Sequence, residues 1–369
     1  MNKKPVRFSN QNNPEFISEL RKNVNQYFVD NNISKHANYN MVLKTIFMLS
    51  LYLVPLGFLL SGLVQTTSVM YLMWLLMSLG MSGIGLSIMH DANHGAYSTN
   101  KRINKWLGST INFVGAYDTN WIIQHNVLHH SFTNIHGHDE DISKPILRLS
   151  PDQEYKSKYR YQAYYATFIY GLMTIFWLLA KDMIQLAEYS KRGLLKGQKK
   201  TFKKSLTEIA LIKIFYIIAT IVIPIMVIDL PWWSILGGFL MMHFISGLIL
   251  ALIFQPAHVS EDTTFFTANQ DGSVENNWAI HQLLTTTNFA NKDKVFTWLI
   301  GGLNYQIEHH LFPTICHVHY PEISKIVKQT AKKYGVPYYH SETYFKAVKS
   351  HYTFLNELGK PPKEFKMAS

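Results

Sequence analysis

Charge is what this 369-residue sequence has least of: Asp, Glu, Lys and Arg make up 16% of it, against roughly 25% in ordinary soluble domains. That scarcity, set against 47% hydrophobic residues, excludes a chain that meets water on all sides. Cysteine is nearly absent. The single Cys316 rules out an intrachain disulfide and a cysteine zinc cluster, and fits a reducing cytoplasm. The opening MNKKPVRFSNQNNPEF lacks the apolar core of a signal peptide, so the first membrane span is expected to act as its own targeting signal. Motifs for binding RNA or DNA are missing as well, and no repeat of fixed period is evident. The formal net charge is +11, with the cations in the tails and in one loop beside apolar runs. That placement suits an anionic membrane surface and no nucleic acid partner.

Long apolar runs are present. MVLKTIFMLSLYLVPLGFLLSGLV (41–64) and TTSVMYLMWLLMSLGMSGIGLSIM (66–89) are each long enough to cross a hydrocarbon core of about 30 Å. Separated by almost nothing, they predict a hairpin. IKIFYIIATIVIPIMVIDL (212–230) and WWSILGGFLMMHFISGLILALIF (232–254) predict a second. The expectation is an all-α multi-pass membrane protein: a tail over 1–40, then one domain over 41–369 whose cap is built from 90–211 and 255–369. The connections near 65 and 231 carry no Lys or Arg, whereas both tails and KRGLLKGQKKTFKK (191–204) are rich in them. By the positive-inside rule, the tails, the middle loop and hence the cap face the cytoplasm; in a bacterium the membrane would be the inner one. Two further stretches, 106–123 and 164–180, are read as helices in or on the interface.

Histidine is concentrated in three motifs: HDANH (His90, His94), QHNVLHH (His125, His129, His130) and QIEHH (Gln306, His309, His310). On a helix, positions i and i+4 share a face, so His90/His94 and His125/His129 can each aim two nitrogens at one point. The adjacent His130 and His310 point about 100° away, toward a second metal or another side of the site. With four spans, an even number of crossings separates all three motifs, which can then converge; a crossing at 164–180 would strand the third. Imidazole suits Zn, Cu, Fe and Ni. HDANH lacks the glutamate of the HExxH zinc proteases. Seven histidines exceed one tetrahedral zinc and suffice for two metals.

Together, HDANH, HNVLHHSFTNIHGHDED and QIEHHLFP, in this order between two hairpins, resemble the membrane fatty acid desaturase family. The resemblance implies a non-haem centre of two iron ions held by histidines, using O2 and two electrons to place a cis double bond in a lipid-linked or thioester-linked acyl chain. Gln306 at the head of the third motif resembles the front-end subgroup, which acts between an existing double bond and the carboxyl end. The fused cytochrome b5 domain of many such enzymes, marked by HPGG, is missing, so electrons are expected from a separate donor such as a ferredoxin or cytochrome b5.

The resemblance also implies a further ligand after the last span. His258 in FQPAHVSED is the first candidate and His281 the second, the latter because Asn277-x-x-x-His281 resembles a motif in which the Asn reaches the site through water. Metal-bound imidazoles pass their other N–H to a carboxylate or carbonyl; Asp91, Asp139, Glu140, Asp141 and Glu308 are candidates, and Gln306 can hold a water. His243, alone inside the fourth span, is read as a neutral residue bonded to a neighbouring helix. The alternatives are a di-iron hydroxylase or ketolase on a lipid or carotenoid, which product analysis separates, and a metal transporter. The last is disfavoured by spans nearly free of acids.

Overall fold

The computed structural model describes residues 6–9 and 12–361. The chain is mostly helical and packs as two compact units. One comprises 38–123 and 167–251, the other 1–37, 124–166 and 252–369.

Among the described residues, four helices are long and apolar enough to cross a membrane: Tyr39–Leu60, Thr67–Asn93, Phe202–Val227 and Trp232–His258. Their starts are encoded locally. Asn38, Thr66 and Thr201 each accept a hydrogen bond from the backbone N–H three residues on, a cap worth about 1 kcal/mol. The first two helices pack closely through Gly80, where a Cβ would stand 2.5 Å from the Tyr52 backbone nitrogen. The third helix begins ten residues before the expected 212. Charged Lys203, Lys204 and Glu208 hide those turns from a hydropathy reading, and the fold gives Glu208 a partner in Lys200 at 2.5 Å; Lys213, inside the expected span, pairs with buried Asp182 at 2.8 Å.

The two ambiguous stretches are not single helices. Residues 106–123 break into the end of Lys101–Gly108, a tight turn Ser109–Val114 and Asp118–Ile122. Residues 164–180 lie in the pair Ser157–Gly171 and Met173–Lys191, bent by 60° between them. His243 is buried, with Nε2 2.9 Å from the Tyr216 hydroxyl and Nδ1 3.0 Å from Thr174 Oγ1. A polar residue in an apolar helix thus finds partners on two neighbours, as its burial requires.

The other unit is built on short helices. Phe16–Asp30, Trp278–Leu284, Gln306–Leu311 and Tyr320–Lys333 share a core that includes Phe16, Leu20, Leu283, Ile307, Ile323 and Val327. The residues before the first span therefore join this core through Phe16–Asp30. Two small parallel pairs, Arg7–Phe8 with Ser273–Val274 and Thr287–Phe289 with Tyr339–Ser341, tie distant segments together. Buried Arg148 donates to the carbonyls of Pro151, Gln153 and Leu358, anchoring the end of helix Tyr344–Leu358.

Candidate metal centre

The second histidine motif lies on a π-helical turn, Ile123–His129. Its i→i+5 winding is wider than that of an α-helix, a feature concentrated at functional sites. His130 follows His125 by one such wide turn, so the two imidazoles meet: Nε2 to Nε2 is 3.2 Å. His130 Nε2 is also 2.9 Å from His309 Nε2. As expected of an adjacent residue, His130 points away from His129 and joins a different group; its meeting with His125, five positions back, is what the π turn adds.

His129 turns to the other side, where it forms a group with His258 and His310. A second group joins His130, His309 and His310. In each, the candidate ligand atoms all lie within 4.8 Å of one another and every residue is buried. His310 belongs to both.

The remaining ring nitrogens show which atom is presented inward. His129 Nδ1 faces Asp139 at 3.1 Å. His258 Nδ1 donates to the Thr285 carbonyl at 3.2 Å. His309 Nδ1 meets the Tyr320 hydroxyl at 3.3 Å and His310 Nδ1 donates to Gln282 Oε1 at 2.8 Å. Four imidazoles thus hold their Nδ1 outward and leave Nε2 for the centre, the arrangement seen around metals. Asp139 is itself locked, accepting the backbone N–H groups of Asn134 and Asp141 at 2.9 Å. Burial opposes charge on His129, but Asp139, by charge and hydrogen bond, and Asp141 outweigh it and raise the imidazole above its ordinary range.

These donors fit a metal. His258 Nε2 is buried with no hydrogen-bond partner in the protein, an expensive state for a polar atom. Two imidazoles sharing one ion at about 2.1 Å stand roughly 3.0–3.4 Å apart, close to the 2.9 and 3.2 Å observed. An all-nitrogen buried set suits the imidazole-binding transition metals. Gln306, fully buried, sits beside His258 with its amide outside strict hydrogen-bond geometry.

The first motif belongs to the other unit. His90 and His94 lie one turn apart with ring centroids 4.9 Å apart, and the Trp121 indole packs edge-on to both. Their helix follows a second π turn, Ile84–Ile88. Asp91 is buried on the same turn.

Three candidates take other roles. His281 belongs to none of the metal-competent groups among the described residues; its Nε2 donates to the Thr133 carbonyl at 2.7 Å. Burial lowers its pKa to about 4, and Phe8 and Phe266 flank the neutral ring. Asn277 caps helix Trp278–Leu284 by accepting from Ile280 N–H and donates to the Asn12 carbonyl. Glu308 accepts from Asn288 Nδ2 and the Tyr338 hydroxyl, and burial raises its pKa to about 7. Gln282, Thr285 and Tyr320, which do support ligand rings, carry no local sequence signal.

Replacing Asp139 with asparagine keeps the shape but removes the charge that holds the His129 ring. Loss of such a support costs about 10–100-fold in metal affinity. Competition with a graded chelator series measures this; an unchanged affinity would show that Asp139 only organises the loop.

Candidate spanning helices mark an integral membrane protein, and its buried histidine cluster is compatible with metal binding. The family model "Fatty acid desaturase" matches residues 31–342. A sn-1 linoleoyl-lipid 6-desaturase of Synechocystis sp. is 34% identical over 94% of this chain and 96% of its own length. One of the same name from Arthrospira platensis is 33% identical over 94% and 93%. An acyl-lipid (8-3)-desaturase of Physcomitrium patens is 32% identical over 97% and 74%. The chain belongs to the fatty acid desaturase family, and its chemistry is that of an oxidoreductase acting on fatty acyl chains.

Proposed function

We propose that the protein is a front-end acyl-lipid desaturase, placing a cis double bond between an existing double bond and the carboxyl end of a lipid-linked chain, with two iron ions at the histidine centre and O2 as co-substrate. The observation that carries this is the pair of buried imidazole groups, His129 with His258 and His310, and His130 with His309 and His310, in a chain whose relatives are named as 6- and (8-3)-desaturases. Gln306 heading the third motif agrees with the front-end assignment. His125 joins through its contact with His130. His90 and His94 are proposed as ligands from their one-turn spacing and from the family motif.

Bound iron would supply what no side chain can: activation of O2 and removal of hydrogen from unactivated methylenes. The protein's own residues orient and shield. Asp139, the Thr285 carbonyl, Tyr320 and Gln282 keep four rings in the Nδ1-outward tautomer. Gln306 is placed to hold a water beside His258. Burial of the ligand groups keeps bulk water away from them. Both termini and the cap are proposed to face the cytoplasm, where a separate carrier such as a ferredoxin or cytochrome b5 delivers electrons.

Expression in bacteria fed saturated and unsaturated acids separately, followed by gas chromatography–mass spectrometry, tests this. A new double bond on the carboxyl side of an existing one is the expected product. A hydroxylated acid in its place would make the protein an oxygenase of the other outcome.

A further inference from the structure

Desaturation balances only with a reductant: R–CH2–CH2–R′ + O2 + 2 e− + 2 H+ gives R–CH=CH–R′ + 2 H2O. The acyl chain supplies two electrons with its two hydrogens, and a carrier must supply the other two. The place where that carrier docks is not given by the histidine motifs.

Helix Tyr320–Lys333 has the features such a place requires. Its buried side carries Ile323, Val327 and Ala331 into the core. Its exposed side presents Lys325, Lys328, Lys332 and Lys333. Two of these are offset: Lys325 pairs with Glu322 at 2.6 Å, and Lys333 with Glu19 of helix Phe16–Asp30 at 2.6 Å. Lys328 and Lys332 are in no ion pair among the described residues. Lys328 lies over the Tyr338 ring at 6.0 Å, and it acts with Lys292 on the charge of nearby His340. Lys292 extends the positive charge toward His340, where exposed Glu342 opposes part of it.

The same helix reaches the centre. Its first residue, Tyr320, is buried and hydrogen-bonds to His309 Nδ1. The rim of the cationic face reaches it a second time: Tyr338 donates to Glu308, whose chain neighbour is His309. Two short bonded paths connect one lysine-bearing surface to one candidate ligand.

The face is unlike a membrane-lying surface. Such helices expose large apolar residues between their cations. Helix Lys101–Gly108 does this, with Ile103 and Trp106 exposed among Lys101, Arg102 and Lys105. Helix Tyr320–Lys333 exposes none.

We propose that the lysine-bearing face of helix Tyr320–Lys333, extended by Lys292 near His340, docks an acidic one-electron carrier protein, and that Tyr320 links this face to His309. Opposite charges across such an interface steer encounter and set its salt dependence. The inference rests on the desaturase reading, and the test separates the two.

The probes are a plant-type [2Fe–2S] ferredoxin and a soluble cytochrome b5, each fluorescently labelled, with the full chain in lipid nanodiscs. Binding is measured at low and at physiological salt, and reduction of the iron-loaded protein by each reduced carrier is followed anaerobically. K325E/K328E/K332E is expected to weaken binding of the preferred carrier at least tenfold at low salt and to flatten the salt dependence. K191E/K196E/K203E, equal in charge change but in the other unit, is expected to stay within twofold. Tyr320→Phe is expected to leave carrier binding unchanged and to slow reduction within the complex, measured per bound iron because Tyr320 also supports His309. Equal effects of the two triple variants would overturn the proposal. So would an effect seen only in anionic-lipid nanodiscs, which would assign the face to the membrane, or binding of neither carrier by the wild type. Chemically reduced wild-type protein given O2 and acyl lipid reports separately on desaturation: no product there sinks the catalytic reading, whatever the carriers do.

Discussion

Replacing His310 with alanine is expected to remove essentially all activity, lowering product at least 100-fold, and to lower bound iron by at least half. His310 is shared by both imidazole groups, and its Nδ1 is committed to Gln282, so Nε2 is the atom it offers inward. No neighbour can replace it, since His129, His258 and His309 each have their own outward bond. Gln282 also donates to the His130 carbonyl and accepts from Thr133, so losing the ring also frees the support that links the two motifs. Iron per chain by mass spectrometry, with fatty-acid analysis of the same preparation, checks this. Size-exclusion elution identical to wild type separates ligand loss from misfolding. Normal iron and normal product in the variant would mean that the groups around His310 are not the centre.

The largest expected effect on stability lies in the spans. At Gly80 a Cβ would meet the Tyr52 nitrogen at 2.5 Å, the Leu51 carbonyl carbon at 2.7 Å and the Tyr52 Cα at 2.9 Å. All three are backbone, so no rotamer change can relieve the clash, and helix Tyr39–Leu60 must move as a body. Small residues permit such close approach of spanning helices. Overpacking costs about 1–3 kcal/mol and occasionally more; Gly80→Val belongs at the top of that range. Gly57, on the facing helix, is the contrast: a Cβ added there would meet nothing within 4 Å. Gly57→Ala is therefore expected to be neutral or to stabilise by up to about 1 kcal/mol through helix propensity. Thermal aggregation of detergent-solubilised protein reads both. A Gly80→Val protein as stable as wild type would show that these two helices do not approach as described.

The sequence alone determined the four spans and the positions of the ligand candidates, because both are local properties. A run of apolar residues needs no partner to declare itself, and paired histidines are recognisable by spacing. Asp139 was also legible, lying ten residues from the ring it supports. What failed was whatever depended on winding or on distant chain. The start of the third helix was hidden because Lys204 and Glu208 look unfit for a membrane until Lys200 is placed beside Glu208. The meeting of His125 with His130 was not foreseen, because positions five apart share a side on a π turn and not on an α-helix. Asn277 and His281 looked like site residues because their spacing fits one; in the fold Asn277 binds the backbone of Ile280 and Asn12, and His281 gives its Nε2 to the Thr133 carbonyl while its buried Nδ1 has no hydrogen-bond partner among the described residues. Gln282, Thr285 and Tyr320 could not be singled out at all: a glutamine, a backbone carbonyl and a phenol become supports only when folding brings them to an imidazole far away in sequence. Ligand chemistry is written in residue type and spacing, whereas the tautomer and aim of each ring are set by hydrogen bonds that only the tertiary structure assembles.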